Sequence, residues 1–175
     1  MAGTALYIGR FQPFHNGHFH AVKHISTCYE RVIVAIGSAQ DSYSEKNPWS
    51  AGERYEMISR TIQKAGITNC LIIPIDDINR NYMWTSHVIS KCPEFQTVFS
   101  NNKLTCTLFE KIGYKVLHIP RKSASLSGRG GSFVESGTQI RKLMQMGMKW
   151  WQYVPKEVYD YMRERNLDRR LGEIE

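Results

Sequence analysis

Gly9-Arg10-Phe11-Gln12-Pro13-Phe14-His15-Asn16-Gly17-His18 is the stretch that decides how this chain reads. The apolar run before it, Ala5-Leu6-Tyr7-Ile8, has the length and composition of a strand buried on both faces of a parallel sheet. After it, Ala21, Val22, Ile25, Cys28 and Tyr29 recur at helical spacing. The stretch is therefore a strand-to-helix turn at the carboxyl end of the first strand, where open α/β sheets bind ligands. Asn16 is expected to cap the helix. Gly17 lets a ligand approach backbone N–H groups at the positive end of the helix, an arrangement that attracts phosphate. His15 and His18 flank that glycine; the plainer alternative is a surface turn with two solvated histidines.

Outward from this turn the pattern repeats. Arg31-Val32-Ile33-Val34-Ala35-Ile36-Gly37 is a second buried strand, which makes a right-handed βαβ unit. Ser38 to Pro48 is polar and turn-rich, reads as a mobile loop at the ligand edge, and carries Lys46. Ser50-Ala51-Gly52-Glu53 is a capping box opening a helix with Tyr55, Ile58, Ile62 and Ala65 on its core face and Gly66 as its stop. Further strands are expected at Leu71–Ile75, Thr97–Ser100 and Lys115–Ile119. Between them lie a short helix through Met83, Trp84, His87 and Val88 and another carrying Leu104, Leu108, Phe109 and Ile112. A long connection, 120–135, leads to a second capping box at Ser136-Gly137-Thr138-Gln139, with Ile140, Leu143 and Met144 facing inward. A last helix is expected from Pro155 to about Leu167, followed by a frayed charged tail, 168–175. Strands alternating with helices predict an α/β fold: a Rossmann-like, doubly wound parallel five-stranded sheet with C-terminal helices, in a single domain over 1–175.

Composition sets bounds. A chain of 175 residues with 42% hydrophobic and 22% charged residues is an ordinary globular domain. Its apolar runs are strand-length, so no membrane span is expected, and the chain opens directly into a strand without a secretory leader. A cytoplasmic location follows as the default. The four cysteines, Cys28, Cys70, Cys92 and Cys106, fit no zinc spacing and read as reduced thiols. A net charge of +7 implies anionic partners, nucleoside triphosphate or nucleic acid, but the basic residues form no dense stripe.

Ser136-Gly137-Thr138-Gln139-Ile140-Arg141 is the second informative segment. If Ser136 caps, Arg141 lies five residues into the helix, where a cation opposes the macrodipole. An anion at the helix start, held by backbone N–H groups, the Ser136 and Thr138 hydroxyls and Arg141, relieves the conflict; a solvent-facing arginine is the alternative.

H-x-G-H after a strand, followed by serine–small–threonine–any–aliphatic–arginine at a later helix start, resembles the nucleotidyltransferase superfamily. Gly37-Ser38-Ala39-Gln40, Asn47-Pro48-Trp49-Ser50-Ala51-Gly52-Glu53-Arg54, and Asp77-Ile78 with Asn81 and Trp84 narrow the likeness. Over roughly residues 4–145 the chain resembles the archaeal-type nicotinamide-mononucleotide (NMN) adenylyltransferases. The resemblance implies transfer of the adenylyl group of ATP to NMN, forming NAD and pyrophosphate, by in-line attack without a covalent intermediate. It implies that Gly9, Arg10, Phe11, His15, Gly17, His18, Lys46, Ser136, Gly137, Thr138 and Arg141 bind ATP. His15, His18 and Arg141 would carry the catalysis, Gly37, Ser38, Ala39 and Gln40 would line the nucleotide cleft, and Asp77, Asn81 and Trp84 would hold NMN, with the indole stacking on the nicotinamide ring. A homo-oligomer, a hexamer being one form, is also implied. One departure from the family is the longer connection between Gly113 and Ser136, which carries Arg121, Lys122 and Arg129.

The attacking group in such a reaction is a phosphate oxygen, already anionic, so no general base is required. Positioning and charge stabilisation are what the protein must supply. Mg²⁺ is expected, carried mainly by the phosphates, with no protein metal site. His15, His18, His20 and His24 could instead be read as zinc ligands, but no other ligand type clusters with them. Read by itself Trp84 is more simply a packing residue, and Met144, Met146 and Met148 near Trp150 and Trp151 also read as packing. Two rival functions stand beside this one. The first is adenylyl or cytidylyl transfer to another acceptor, phosphopantetheine or FMN. The second is a nucleic-acid-binding module of the kind built on a class I aminoacyl-tRNA synthetase core; no tRNA-binding domain fits in this length, and nucleic acid is not the expected partner.

Overall fold

The computed structural model describes residues 3–119 and 136–174. Five parallel strands form one sheet: β1 (Thr4–Gly9), β2 (Arg31–Ile36), β3 (Cys70–Pro74), β4 (Thr97–Phe99) and β5 (Lys115–Leu117). Their order is β3-β2-β1-β4-β5. The chain thus winds outward from β1 in one direction, crosses back, and winds outward in the other, which puts the switch point at the carboxyl end of β1.

Burial on both faces explains the unbroken apolar runs. Along β1, Ala5 and Tyr7 enter one core while Leu6 and Ile8 enter the other. The first core is covered by α1 (Asn16–Cys28), α2 (Ala51–Lys64), α5 (Gly137–Gln145) and α6 (Lys156–Glu164). The second is covered by α3 (Asn81–Lys91) and α4 (Lys103–Lys111), through Val88 and Phe109, with Phe95 from the connection after α3. The expected fold class is the one observed.

Several local expectations are corrected. His15, not Asn16, caps α1; the Asn16 amide donates instead to the Gln152 carbonyl, 3.1 Å away. On α2, Tyr55 and Ala65 face solvent, and the core stripe is Arg54, Met57, Ile58, Thr61 and Ile62. Of the sulfur and indole cluster near the C-terminus, Met144 and Trp150 pack, whereas Met146, Met148 and Trp151 are exposed. The last helix ends at Glu164, because Asn166 adopts a left-handed conformation (φ 54°) and the Leu167 N–H turns back to the Met162 carbonyl at 2.8 Å. The tail is not frayed. It forms a 3₁₀ turn, Arg170–Gly172, buries Leu171, and ties Asp168 to Arg163 and Arg170 to Glu53.

Candidate active site

The turn after β1 is built from aromatic packing. Phe11 takes a left-handed conformation (φ 53°) that turns its ring inward against Tyr7 at 5.5 Å, Phe14 at 5.8 Å and His18 at 4.9 Å. Phe11 is 1% exposed, and its ring props His18. Phe14 stacks under His18 on another side at 5.7 Å.

The H-x-G-H spacing turns out to be a capping box made of imidazoles. The His18 N–H donates to Nδ1 of His15 at 3.4 Å, and the His15 N–H donates to Nδ1 of His18 at 3.3 Å. The two stand three positions apart because that is the spacing from a cap to the third residue of its helix. Gly17 sits beneath the His15 ring, where a Cβ would come within 3.0 Å of Cε1. The rings stack 3.6 Å apart. An imidazole whose Nδ1 accepts a hydrogen bond keeps its proton on Nε2, so each ring is left with Nε2–H as its donor. Burial pushes the His15 pKa from 6.5 down to about 4, and burial with the His15 charge pushes His18 well below its ordinary value. Both rings are neutral donors at pH 7 in the free protein.

The second motif closes onto the first. Ser136 caps α5, its Oγ accepting from the Gln139 N–H at 3.3 Å. Gly137 lies against the Gln12 backbone so closely that a Cβ would clash with the Gln12 carbonyl. Arg141 is buried, donates to that same carbonyl at 2.7 Å and to Thr138 Oγ1 at 3.3 Å. Burial lowers its pKa, and the nearby Arg10 lowers it further, with Glu45 opposing. Arg10 and Lys46 on one wall, with Thr138, Arg141 and Lys142 on the other, line a cleft of about 270 Å³ that also includes Glu45 and Gln145. Four cations around one carboxylate form a site that calls for an anion.

Across the sheet edge, Gly9 accepts from the Gly37 N–H at 2.9 Å. Ser38 is buried and spends its hydroxyl on Asp77 Oδ2 at 2.5 Å. Ala39 donates its N–H to the Ile75 carbonyl at 3.0 Å, and the exposed Gln40 clasps the Asp77 backbone through two bonds of 2.9 and 3.2 Å. Asp77 Oδ1 accepts from the Trp84 indole at 3.2 Å. Asp77 therefore braces Trp84 and Ser38. Trp84 is half-buried with one edge on Phe109, 5.9 Å away, and Asn81 is exposed at the first turn of α3.

Residues 6–143 match the cytidylyltransferase-like family. A nicotinamide-nucleotide adenylyltransferase of Methanolobus tindarius is 42% identical over 170 residues, covering 97% of this chain and 93% of that protein. One from Picrophilus torridus is 45% identical over 154 residues, covering 88% and 86%. The chain belongs to the nicotinamide-nucleotide adenylyltransferase family. Its fold is also that of a bifunctional NMN adenylyltransferase/ADP ribose pyrophosphatase from Francisella tularensis, solved with AMP and a manganese ion; the TM-score is 0.67 at 23% identity, over 95% of this chain and 53% of that one. The chain thus spans about half the length of that bifunctional protein.

Against this adenylyltransferase background, sequence reasoning missed three supports of the site. Gln12 grips the Trp49 backbone at both ends, donating to its carbonyl at 2.8 Å and accepting from its N–H at 3.1 Å. Arg54 is fully buried and donates to the carbonyls of Arg10, Gly37, Ser38 and Ser50 at 2.8–3.2 Å, tying the loops after β1 and β2 to α2. Burial lowers its pKa to about 10. The sequence did carry a signal for it: Arg54 falls on the same helix stripe as Ile58 and Ile62, where a charge must find partners. The third support is the C-terminal turn, which packs on the 38–50 loop. Asn47, Pro48 and Trp49, at the end of this segment, are buried, whereas Tyr43 to Lys46 are exposed. Arg121, Lys122 and Arg129 lie outside the described residues.

Proposed function

We infer that this chain transfers the adenylyl group of ATP to nicotinamide mononucleotide, forming NAD and releasing pyrophosphate. The observation that supports the reading is the junction of the two motifs: Gly137 seated on Gln12, with Arg141 reaching back to the same carbonyl, three residues before the His15 that caps the other helix. A helix N-terminus favours a phosphate, and in this reading the starts of both helices and the cations of the cleft serve one triphosphate.

In this reading the NMN phosphate oxygen attacks the α-phosphorus of ATP in line, the new P–O bond forms as the bond to the bridging oxygen breaks, and pyrophosphate leaves with the electron pair. No proton need move. His18 donates Nε2–H to the α-phosphate oxygens as charge builds there, and His15 does so along the phosphate chain. Arg10, Lys46, Ser136, Thr138 and Arg141 hold the β- and γ-phosphates, with Arg141 on the leaving pyrophosphate. Gly37 to Gln40 line the nucleotide cleft, and Trp84, aimed by Asp77, stacks on the nicotinamide with Asn81 beside it. A divalent cation, Mg²⁺ in this reading, would accompany the phosphates and would supply neutralisation of their charge.

Four free thiols suit a reducing, cytoplasmic setting. The exposed Met146, Met148 and Trp151 suit a homo-oligomeric contact. The test is incubation of the protein with labelled ATP and a panel of phosphorylated acceptors. NAD formation from NMN is the fastest reaction; a faster reaction with phosphopantetheine or FMN overturns the assignment.

A further inference from the structure

The turn that carries Lys46 has no core of its own. Ser44 and Asn47 close it through paired backbone bonds of 3.1 and 3.3 Å, which put Glu45 and Lys46 at its tip, on the wall of the cationic cleft. What fixes the turn against the body of the protein comes from the far end of the chain. Arg170, whose side chain is 15% exposed, makes a bidentate pair with Glu53 at 2.6 and 2.7 Å. The same guanidinium donates to the Pro48 carbonyl at 3.1 Å and lies 4.5 Å above the Tyr43 ring. Tyr43 and Pro48 stand on either side of the Ser44–Asn47 turn, so one side chain grips both of its stems. A second tie runs from the buried Trp49, whose indole donates to the Leu167 carbonyl at 3.1 Å. Trp49 is in turn gripped by Gln12, whose carbonyl holds Arg141.

We propose that the C-terminal turn is a strut for the phosphate-binding wall, and that Arg170 is a positioning residue for ATP, acting through Lys46. This rests on the assignment of Lys46 to the ATP phosphates. Arg170 touches no substrate in this arrangement. The fork geometry is needed, because only a planar guanidinium pairs with both Glu53 oxygens while stacking on Tyr43 and reaching Pro48.

The test is steady-state NAD synthesis by the 175-residue chain carrying Arg170→Ala, Arg170→Lys, Tyr43→Ala, Lys46→Ala and the Arg170→Ala/Lys46→Ala pair, with a thermal melt of each. Arg170→Ala raises KM for ATP about 5–10-fold, leaves KM for NMN within about twofold, and is only partly rescued by Lys. Tyr43, an exposed ring at 65%, can be removed without unfolding the protein, and its loss raises KM for ATP about 2–3-fold. In the Lys46→Ala background, Arg170→Ala adds no further change. If Arg170→Ala does not fold, Tyr43→Ala with and without Lys46→Ala decides the matter in the same way. An unchanged KM for ATP on Lys46→Ala alone overturns the Lys46 assignment and the strut with it. A Lys46 effect without an Arg170 or Tyr43 effect, or full additivity of the pair, overturns the strut alone.

Discussion

Gly137→Ala isolates the contact that brings the two motifs together. The glycine is not there for its backbone freedom. It is there because a Cβ would stand inside 3.0 Å of the Gln12 carbonyl oxygen and at 3.0 Å from its carbon, where ordinary contact begins near 3.4 Å. Neither neighbour is a flexible side-chain end, so α5 must back away from the β1 turn by about half an ångström or more. The Arg141–Gln12 bond, 2.7 Å long, lies beside that contact and stretches with it. Alanine is intrinsically better than glycine in a helix by about 0.5–1 kcal/mol. Overpacking costs about 1–3 kcal/mol. The melting temperature therefore falls modestly or not at all. Activity is far more sensitive, because a misplacement approaching 1 Å at a positioning group costs up to about 10²-fold. Steady-state NAD synthesis should show kcat/KM for ATP down roughly 10–100-fold while the thermal melt shifts by only a few degrees. Wild-type kcat/KM in a variant that folds normally would refute the claim that the junction of the two helix starts sets the site.

Arg54→Ala removes the donor shared by four loop carbonyls, at least two of them buried with their bonds. At about 1–3 kcal/mol for each unsatisfied buried group, the loss is about 3 kcal/mol or more, a fall in Tm of about 6–12 °C; a melt within 2 °C of wild type, by about that same scale, contradicts the bracing role. The free protein should also lose stability on mild acidification. The unfolded His15 takes up a proton near its ordinary 6.5 while the folded one resists to about 4, so stability is full above 6.5 and falls as pH drops toward 4, by about 3 kcal/mol from this residue. Denaturant titrations at pH 7 and pH 5 check the sign, and equal stability at both refutes it. Asp77→Ala releases both the Trp84 indole and the Ser38 hydroxyl and should raise KM for NMN about 10-fold, the worth of one such bond; an unchanged KM for NMN refutes the bracing role.

How much of this was legible in the sequence follows from which interactions are local. Unbroken apolar runs at β1 and β2 revealed a sheet buried on both faces, and the H-x-G-H and Ser136–Arg141 segments announced two helix starts within a few residues. Capping at Ser50 was readable because Glu53 lies three positions on and returns the bond. Asn16 was misassigned because propensity favours asparagine at caps, whereas here an imidazole reciprocated by a second imidazole outcompetes it. The tail was misread because its order rests on partners more than a hundred residues away, Glu53 and Pro48 for Arg170. The same holds for Gln12, whose side chain crosses to Trp49 and whose carbonyl receives Arg141. Local pattern marks the candidate site groups and overlooks the groups that hold them.

The claim at the centre is that a neutral, capped imidazole pair at a helix start stabilises charge on the α-phosphate. Single-turnover adenylyl transfer by His18→Ala, with saturating ATP and NMN, measures that step alone. The account predicts a rate about 10²–10³-fold below wild type, as for loss of one preorganised donor, with ATP affinity changed far less. An unchanged rate would remove His18 from the chemistry.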